Sequence, residues 1–336
     1  MKYWIIISIL ILSTLVKADY APLVFPDDKP YGFFDSFETM YVSVYTFTSE
    51  DIGARIANSN TILLVEGSPV GGIPDRELLC SLNVSVYLYK GEKRYLHAKY
   101  AVKDNSSFFV STENFGSFSN RGWGAVVRDN TSVLLKTFFE DLAEAELLEC
   151  GEINNKEYYK SSSQSFQFTG GKVSVFTDNH LENLISFIRG EQDLAIEQFY
   201  FYKNWKDEES PLIKELVGKN VRVLLDGEWY NREKNEETVK YLQSLGVEAK
   251  IEDSSLTFHT KGLVGRRALV SSINWNENSI TNNREVGVVI DGDVSKFRQS
   301  FEQDWKEEEE NNSLINIFIF IAVVIVAYFL AKRKIP

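Results

Sequence analysis

From Met40 to Thr48 apolar and polar positions alternate, the period of a strand with one buried face. Helical spacing over Asp51–Ser59, an apolar run at Thr61–Val65, a short helix at Glu77–Leu82 and a strand at Val84–Tyr89 follow. The Pro/Gly-rich Glu66–Arg76 reads as a loop. Two further apolar runs flank Asp104, then come a strand at Gly124–Val127, a helix across Thr131–Leu148 and a polar, Ser-rich linker at Gly151–Gly171. The order then recurs. Helices are predicted at Leu181–Ile188, Pro211–Val217 and Glu236–Leu245, with Pro211 in a first turn and Gly246 ending a helix. Strands are predicted at Asp193–Tyr202, Val221–Leu225, Val247–Ile251 and Glu285–Ile290, before a closing helix at Val294–Trp305. Strands alternating with helices predict an α/β class, with the folded body beginning near Phe33.

The two ends are apolar. Lys2, the run Trp4–Val16 and the small-residue site Val16-Lys17-Ala18 predict a signal peptide over residues 1–18. Leu314–Leu330 is unbroken apolar sequence, at the short end of what spans a bilayer, and Lys332, Arg333 and Lys334 follow it. The expected protein is a single-pass type I membrane protein with its body outside. Its segments are 19–150, a linker 151–171, 172–305, an acidic tether 306–313, a transmembrane helix 314–330 and a cytoplasmic tail 331–336.

The chain has 36 basic and 48 acidic residues. Without Lys2, Lys17, Lys332, Arg333 and Lys334 the balance is 31 against 48, a net of −17, which disfavours broad nucleic-acid binding. The two cysteines, Cys80 and Cys150, lie outside the membrane by this topology, where a disulfide is permitted; two separate buried thiols are the alternative. Asn83, Asn105, Asn130 and Asn311 each begin a glycosylation sequon.

The candidate chemistry lies in two copies of one pattern. The first, Tyr95–Asn114, holds His97, Lys99, Asp104, Thr112 and Asn114; the second, Thr257–Trp275, holds His259, Lys261, Ser272 and Asn274. The chain has three histidines, and two of them stand in these copies, 259 − 97 = 162 residues apart. Residues two apart on a strand share a face, so each copy presents an imidazole with an ammonium and a hydroxyl with an amide. That set suits a phosphate: a nucleophile or acid, and donors for anionic oxygens. His180, outside both copies at an expected helix start, reads as structural.

The pattern resembles the phospholipase D superfamily, marked by two copies of HxK(x)4D followed by GSxN. His97, Lys99 and Asp104 match the first element in full; His259 and Lys261 match the second, where Arg266 replaces the acidic residue. The resemblance implies two similar α/β halves about a pseudo-twofold, with one active site at their interface. It implies a phosphodiesterase, hydrolase or phosphatidyl transferase, working through a phosphohistidine, with His97 the expected nucleophile and the other histidine the acid and base. Lys99 and Lys261 would neutralise phosphate charge, and Asn114, Asn274, Thr112 and Ser272 would donate to its oxygens. Family members often place a carboxylate near the position of Glu285, which is expected to orient His259, while Gly122 at the matching place offers His97 nothing. No cofactor, metal or obligate protein partner is expected. The acidic body and membrane anchor favour phospholipid over nucleic acid; a nuclease of the same group and a non-catalytic surface protein are the alternatives.

Overall fold

The computed structural model describes residues 15–306 apart from 71, 73, 152–155, 157, 207, 254 and 255. Most of the expected signal peptide, the tether, the apolar segment 314–330 and the tail therefore lie outside the described residues. Among the described residues no helix is long and apolar enough to cross a membrane.

The first half contributes strands β1 (Val16–Phe25), β2 (Met40–Val44), β3 (Thr61–Glu66), β4 (Ser85–Tyr89), β5 (Lys99–Lys103), β6 (Ser107–Ser111), β7 (Gly122–Arg128) and β8 (Ala145–Leu147). Its helices are α1 (Glu50–Ile56), α2 (Arg76–Ser81) and α3 (Ser132–Ala143). The second half contributes β9 (Thr169–Phe176), β10 (Asp193–Gln198), a small hairpin of β11 (Asn204–Trp205) with β12 (Glu208–Glu209), β13 (Asn220–Asp226), β14 (Glu248–Glu252), β15 (Lys261–Val264), β16 (Ala268–Ser271) and β17 (Gly287–Asp291). Its helices are α4 (His180–Arg189), α5 (Arg232–Ser244), α6 (Glu277–Thr281) and a last helix over residues 295–306.

All strands but the hairpin join one sheet with β1 and β9 side by side at its centre. Outward from β1 the order is β7, β6, β5, β2, β3, β4, β8; outward from β9 it is β17, β16, β15, β10, β13, β14. Each half runs out to a parallel set that needs helical crossovers, to which the first half adds β8 antiparallel at its edge. Period-two alternation splits the inner strands between cores. Tyr100, Val102, Phe108, Val110, Val264, Ala268 and Val270 face a core shared by both halves, with Phe297, Phe301 and Trp305 of the last helix. Their neighbours Ala101 and Phe109 face a core private to the first half, and Leu263 and Leu269 one private to the second.

The sequence reading differs from the fold in several places. The body begins at β1, not near Phe33, and Val16-Lys17-Ala18, assigned to a cleavage site, opens that strand. β1 pairs with β9 from Val16 and with β7 from Asp19. The leader assignment covers only the first three residues of β1, and residues 19–25 are left without a predicted element. The helix over 131–148 stops at Ala143, and Ala145–Leu147 pairs with β4 instead. Pro211–Val217 yields only a 3₁₀ turn, Ile213–Glu215. The described linker residues pack along the first half: Ser161 N donates to Asp51 at 2.8 Å, Lys29 N donates to the Gln164 side chain at 3.0 Å, and Arg128 lies over the Phe168 ring. Cys80 and Cys150 form a disulfide, with Cα atoms 5.5 Å apart.

Candidate active site

Each motif segment is joined to the opposite half. Leu96 bridges Arg284, and Phe258 bridges Arg121. His97 N donates to the Arg284 carbonyl and Arg284 N to the Tyr95 carbonyl, both at 2.8 Å; His259 N donates to the Arg121 carbonyl at 2.8 Å and Arg121 N to the Thr257 carbonyl at 2.9 Å. Gly262 permits this approach, since a Cβ there would lie 2.2 Å from the Trp123 ring of the first half. The two histidines, though 162 residues apart, thereby enter one electrostatic environment: His259 is depressed by burial, then by Lys261, Lys99 and His97.

Glu285 corrects the expected pairing. It serves His97, not His259: both carboxylate oxygens lie 2.9 Å from His97 Nδ1. The reason is the crossed bridging, which lays Arg284-Glu285 beside the first motif. Ser272 and Ser279 hydroxyls donate to the same carboxylate, and Asn283 Nδ2 donates to it at 3.2 Å. Burial pushes Glu285 up, but His97, Lys99 and the Ser272 hydroxyl more than offset this and bring it to about 2. An ionised carboxylate only accepts, so Nδ1 of a neutral His97 carries the proton and Nε2 a free lone pair. Burial lowers His97 below the ordinary histidine value, against the raising effect of Glu285.

His259 has no such carboxylate. Its Nδ1 lies 3.1 Å from Lys261 Nζ and 3.2 Å from the Thr112 carbonyl. Both lysines are fully buried, whereas the histidines are half-buried and reachable. Lys99 Nζ donates to the His97 carbonyl at 2.6 Å and lies over the Tyr45 ring; Lys261 Nζ donates to the His259 carbonyl at 2.8 Å and lies over Phe199. Burial lowers Lys99 to about 7, with Glu285 opposing, and lowers Lys261 well below the lysine range, with Lys99 reinforcing. The cleft is therefore short of negative charge, which a phosphodiester would supply.

The remaining predicted residues separate. Asn114 and Asn274 sit at the site with Oδ1 atoms that are buried and lack a partner. The residue after each is anchored, Phe115 by its carbonyl accepting from Thr48 N and Ser49 N, and Trp275 by its carbonyl accepting from Tyr202 N, each at 2.9 Å. Ser272 and Thr112 are occupied as acceptors for Val286 N and Trp123 N at 2.9 and 3.0 Å, and Ser272 spends its proton on Glu285. Ser272 thus holds the carboxylate instead of the substrate. Asp104, expected at the site, lies instead at the far end of β5 from Lys99. It sits in the turn after β5, accepting from Glu38 N and Thr39 N at 2.8 and 2.9 Å, and so ties that turn to the start of β2. At the matching turn Arg266 N donates to Glu191 at 2.9 Å and its guanidinium pairs with Asp291. His180 is buried against Phe176, in keeping with a structural role.

The mouth is a cleft of about 230 Å³ lined in part by Thr46, Thr48, Glu113, Asn114, Asn120 and His259. Sequence reasoning missed Glu113, Tyr45 and Phe199. Glu113 was in view as the variable residue between Thr112 and Asn114, where its charge was the available signal. The aromatic rings gave none, because their relation to the motifs exists only once β2 and β10 lie beside β5 and β15. Among the described residues no cluster of three or more His, Cys, Asp or Glu side chains could hold a metal.

Residues 184–305 match the family model described as "Cardiolipin synthase, PLD-like domain". Among solved structures, phosphatidylserine synthase of Haemophilus influenzae Rd KW20 superposes with a TM-score of 0.60 at 12% identity, over 85% of each chain. Polyphosphate kinase from Porphyromonas gingivalis superposes with a TM-score of 0.51 at 10% identity, over 83% of this chain and 45% of that one. Nuc of Salmonella typhimurium, a phospholipase D family member, is 13% identical over 39% of this chain and 98% of its own, with a TM-score of 0.36. A comparison with curated protein sequences gives no match. The α/β fold is phospholipase D-like, and residues 184–305 are similar to the PLD-like domain of that family model.

Proposed function

We propose that this protein is a metal-independent phosphodiesterase whose two halves, related by a pseudo-twofold, share one active site and work through a phosphohistidine on His97. The observation that carries this reading is the unequal backing of the two imidazoles. The Glu285 carboxylate takes the Nδ1 proton of His97 and leaves Nε2 free to attack phosphorus. His259 Nδ1 faces both Lys261 Nζ and the Thr112 carbonyl; in the tautomer that accepts from Lys261, the proton of neutral His259 sits on Nε2, ready for the leaving oxygen, while the other tautomer gives its Nδ1 proton to Thr112. Attack forms the P–N bond and breaks the P–O bond. The departing alkoxide takes the Nε2 proton of His259, and Lys261 replaces it at Nδ1, a transfer favoured by the depressed Lys261. His259 then takes a proton on Nε2 from water or an alcohol and returns its Nδ1 proton to Lys261, while the new oxygen attacks phosphorus, breaks the P–N bond and frees His97. Lys99, Lys261, Asn114 and Asn274 hold the equatorial oxygens, doing by charge and donation what a metal does elsewhere.

The substrate class is phospholipid, and residues 314–330 hold the body at the outer face of a membrane. Support comes from the apolar segment itself and from the name of the structural relative, a phosphatidylserine synthase. The test is to incubate the protein with bis(p-nitrophenyl) phosphate, with mixed phospholipid vesicles and with single-stranded DNA, each with and without EDTA. Turnover of the chromogenic diester that survives EDTA, with headgroup release from lipid, is the expected result. Complete loss with chelator, restored by a divalent ion, overturns the metal-independent mechanism; cleavage of DNA alone overturns the lipid assignment.

A further inference from the structure

Each motif histidine is laid against an arginine of the other half, and the two arginines are equivalent. Arg121 follows Asn120 ahead of β7, and Arg284 follows Asn283 ahead of β17. Arg121 holds the second motif through main-chain bonds to Thr257 and His259; Arg284 holds the first through Tyr95 and His97. Their side chains go the same way. Arg284 Nε donates to Asp141 Oδ1 on α3 at 2.8 Å, and its Nη1 donates to Asp178 Oδ1 at 3.0 Å. Arg121 Nη2 lies 3.2 Å from Asp304 Oδ1 on the last helix. α3 belongs to the half that carries His97, and the last helix to the half that carries His259. Each arginine thus grips the opposite half twice, by main chain at the histidine and by side chain at a helix.

We propose that these are crossed clamps: Arg284 with Asp141 is the positioning pair for His97, and Arg121 with Asp304 is the positioning pair for His259. Asp141 and Asp304 are 1% and 3% exposed, and an ion pair so buried adds little net stability, because desolvation of both charges offsets their attraction. What it supplies is direction. A guanidinium offers its donors in a rigid plane, so its bond to a packed helix limits where the arginine main chain can lie. That main chain is the surface on which the histidine backbone rests. Arg284 has a second effect, since Glu285 is next in the chain and its carboxylate backs His97 Nδ1. Gly122 follows Arg121, so the second clamp acts on His259 through the main chain.

This inference rests on the roles proposed above for the two histidines. The test is kcat/KM of the full chain on two diesters, bis(p-nitrophenyl) phosphate with a good leaving group and diphenyl phosphate with a poor one. Asp304→Asn loosens the proton donor. Its loss is about 10-fold or more on the poor leaving group and smaller on the good one, which departs without a proton. Asp141→Asn loosens the nucleophile, so its loss is about 10-fold or more on both alike. Equal losses on the two diesters in Asp304→Asn mark a merely structural pair and overturn the proposal. So does a leaving-group dependence in Asp141→Asn, or the absence of any loss in either variant. If an asparagine variant does not fold, Arg121→Lys or Arg284→Lys, which keeps the charge and loses the planar fork, carries the same comparison. His259→Ala tells the two possible failures apart. If it discriminates between the leaving groups and Asp304→Asn does not, only the clamp falls. If it does not discriminate, the proton-donor role falls; the clamp then stands if Asp304→Asn costs nothing further when added to His259→Ala, and falls if the losses multiply.

Discussion

At the turn between the motif strands, the first half uses Asp104 to accept from backbone amides at the entry to β2. The second half makes the same tie with direction reversed: Glu191, at the entry to β10, accepts from Arg266 N in the turn. The cleft repeats the lesson, with Glu285 on one side and, on the other, the Glu113 side chain filling the space that a side chain at Gly122 would take. In both pairs the carboxyl group stays near one place in space while moving to a different place in the chain. A motif records chain position, so Arg266 and Gly122 look like losses when read in sequence, and neither place in the fold lacks a carboxyl group.

The largest expected difference between the halves lies in the histidines. His97→Ala and His259→Ala should each lower kcat on a soluble diester by about 10⁴-fold or more, with the double variant no worse, as for groups that act as one unit. Offered a diester with a good leaving group, His259→Ala should accumulate a phosphorylated protein whose added mass maps to the His97 peptide. A label on His259 in the His97 variant would exchange the two roles.

Next comes Glu285→Gln. It removes the acceptor that fixes the His97 tautomer and should cost about 10²–10⁴-fold in kcat. The wild-type kcat/KM profile should rise as His97 loses its proton, at a midpoint below the ordinary histidine value, and fall as Lys99 titrates at about 7. Glu285 raises His97, so in the glutamine variant the acid limb should move to lower pH. Movement to higher pH would mean that the limb belongs to another group.

Smaller effects concern stability. The disulfide closes a 70-residue separation in the first half, and the described second half has no counterpart. Its removal by Cys80→Ala/Cys150→Ala should cost about 4.4 kcal/mol in the loop-entropy account, with hydrogen exchange rising in β3, β4 and α2 before the second half. Equal loosening of both halves would show that they unfold as one unit. Asp104→Ala should cost about 2 kcal/mol by denaturant unfolding, from two lost hydrogen bonds to a carboxylate, with kcat unchanged. Arg266→Asp should cost less than about 1 kcal/mol, since its guanidinium pair is at the surface, and should leave kcat/KM at the wild-type value.

Much of this was legible in the sequence. The strands over residues 40–44, 61–66, 85–89 and 220–226 lie where alternation and apolar runs put them, because each has a face or both faces in a core. The His-x-Lys pairs marked the site, because both partners are fixed by local spacing. What sequence could not carry was the crossing of the halves. Glu285 reads as a partner for His259 by proximity along the chain, and only the bridge between Leu96 and Arg284 brings it to His97. Val16–Phe25 is missed for a different reason: its partners lie about a hundred and more residues downstream, so nothing nearby marks it as a strand.

That first strand has a consequence for how the chain is made. β1 leaves the ribosome before any other element of the sheet, yet its ladders are to β7, which begins at Gly122, and to β9, which ends at Phe176. Synthesis at about 5–20 residues per second leaves an apolar strand with both edges open for several seconds, a template for pairing with other chains. The seam between the halves therefore forms late, after the C-terminal end of β9 has emerged. A nascent chain arrested before residue 169 should bind chaperones or aggregate, and one arrested beyond residue 176 should have its first strand shielded on both sides.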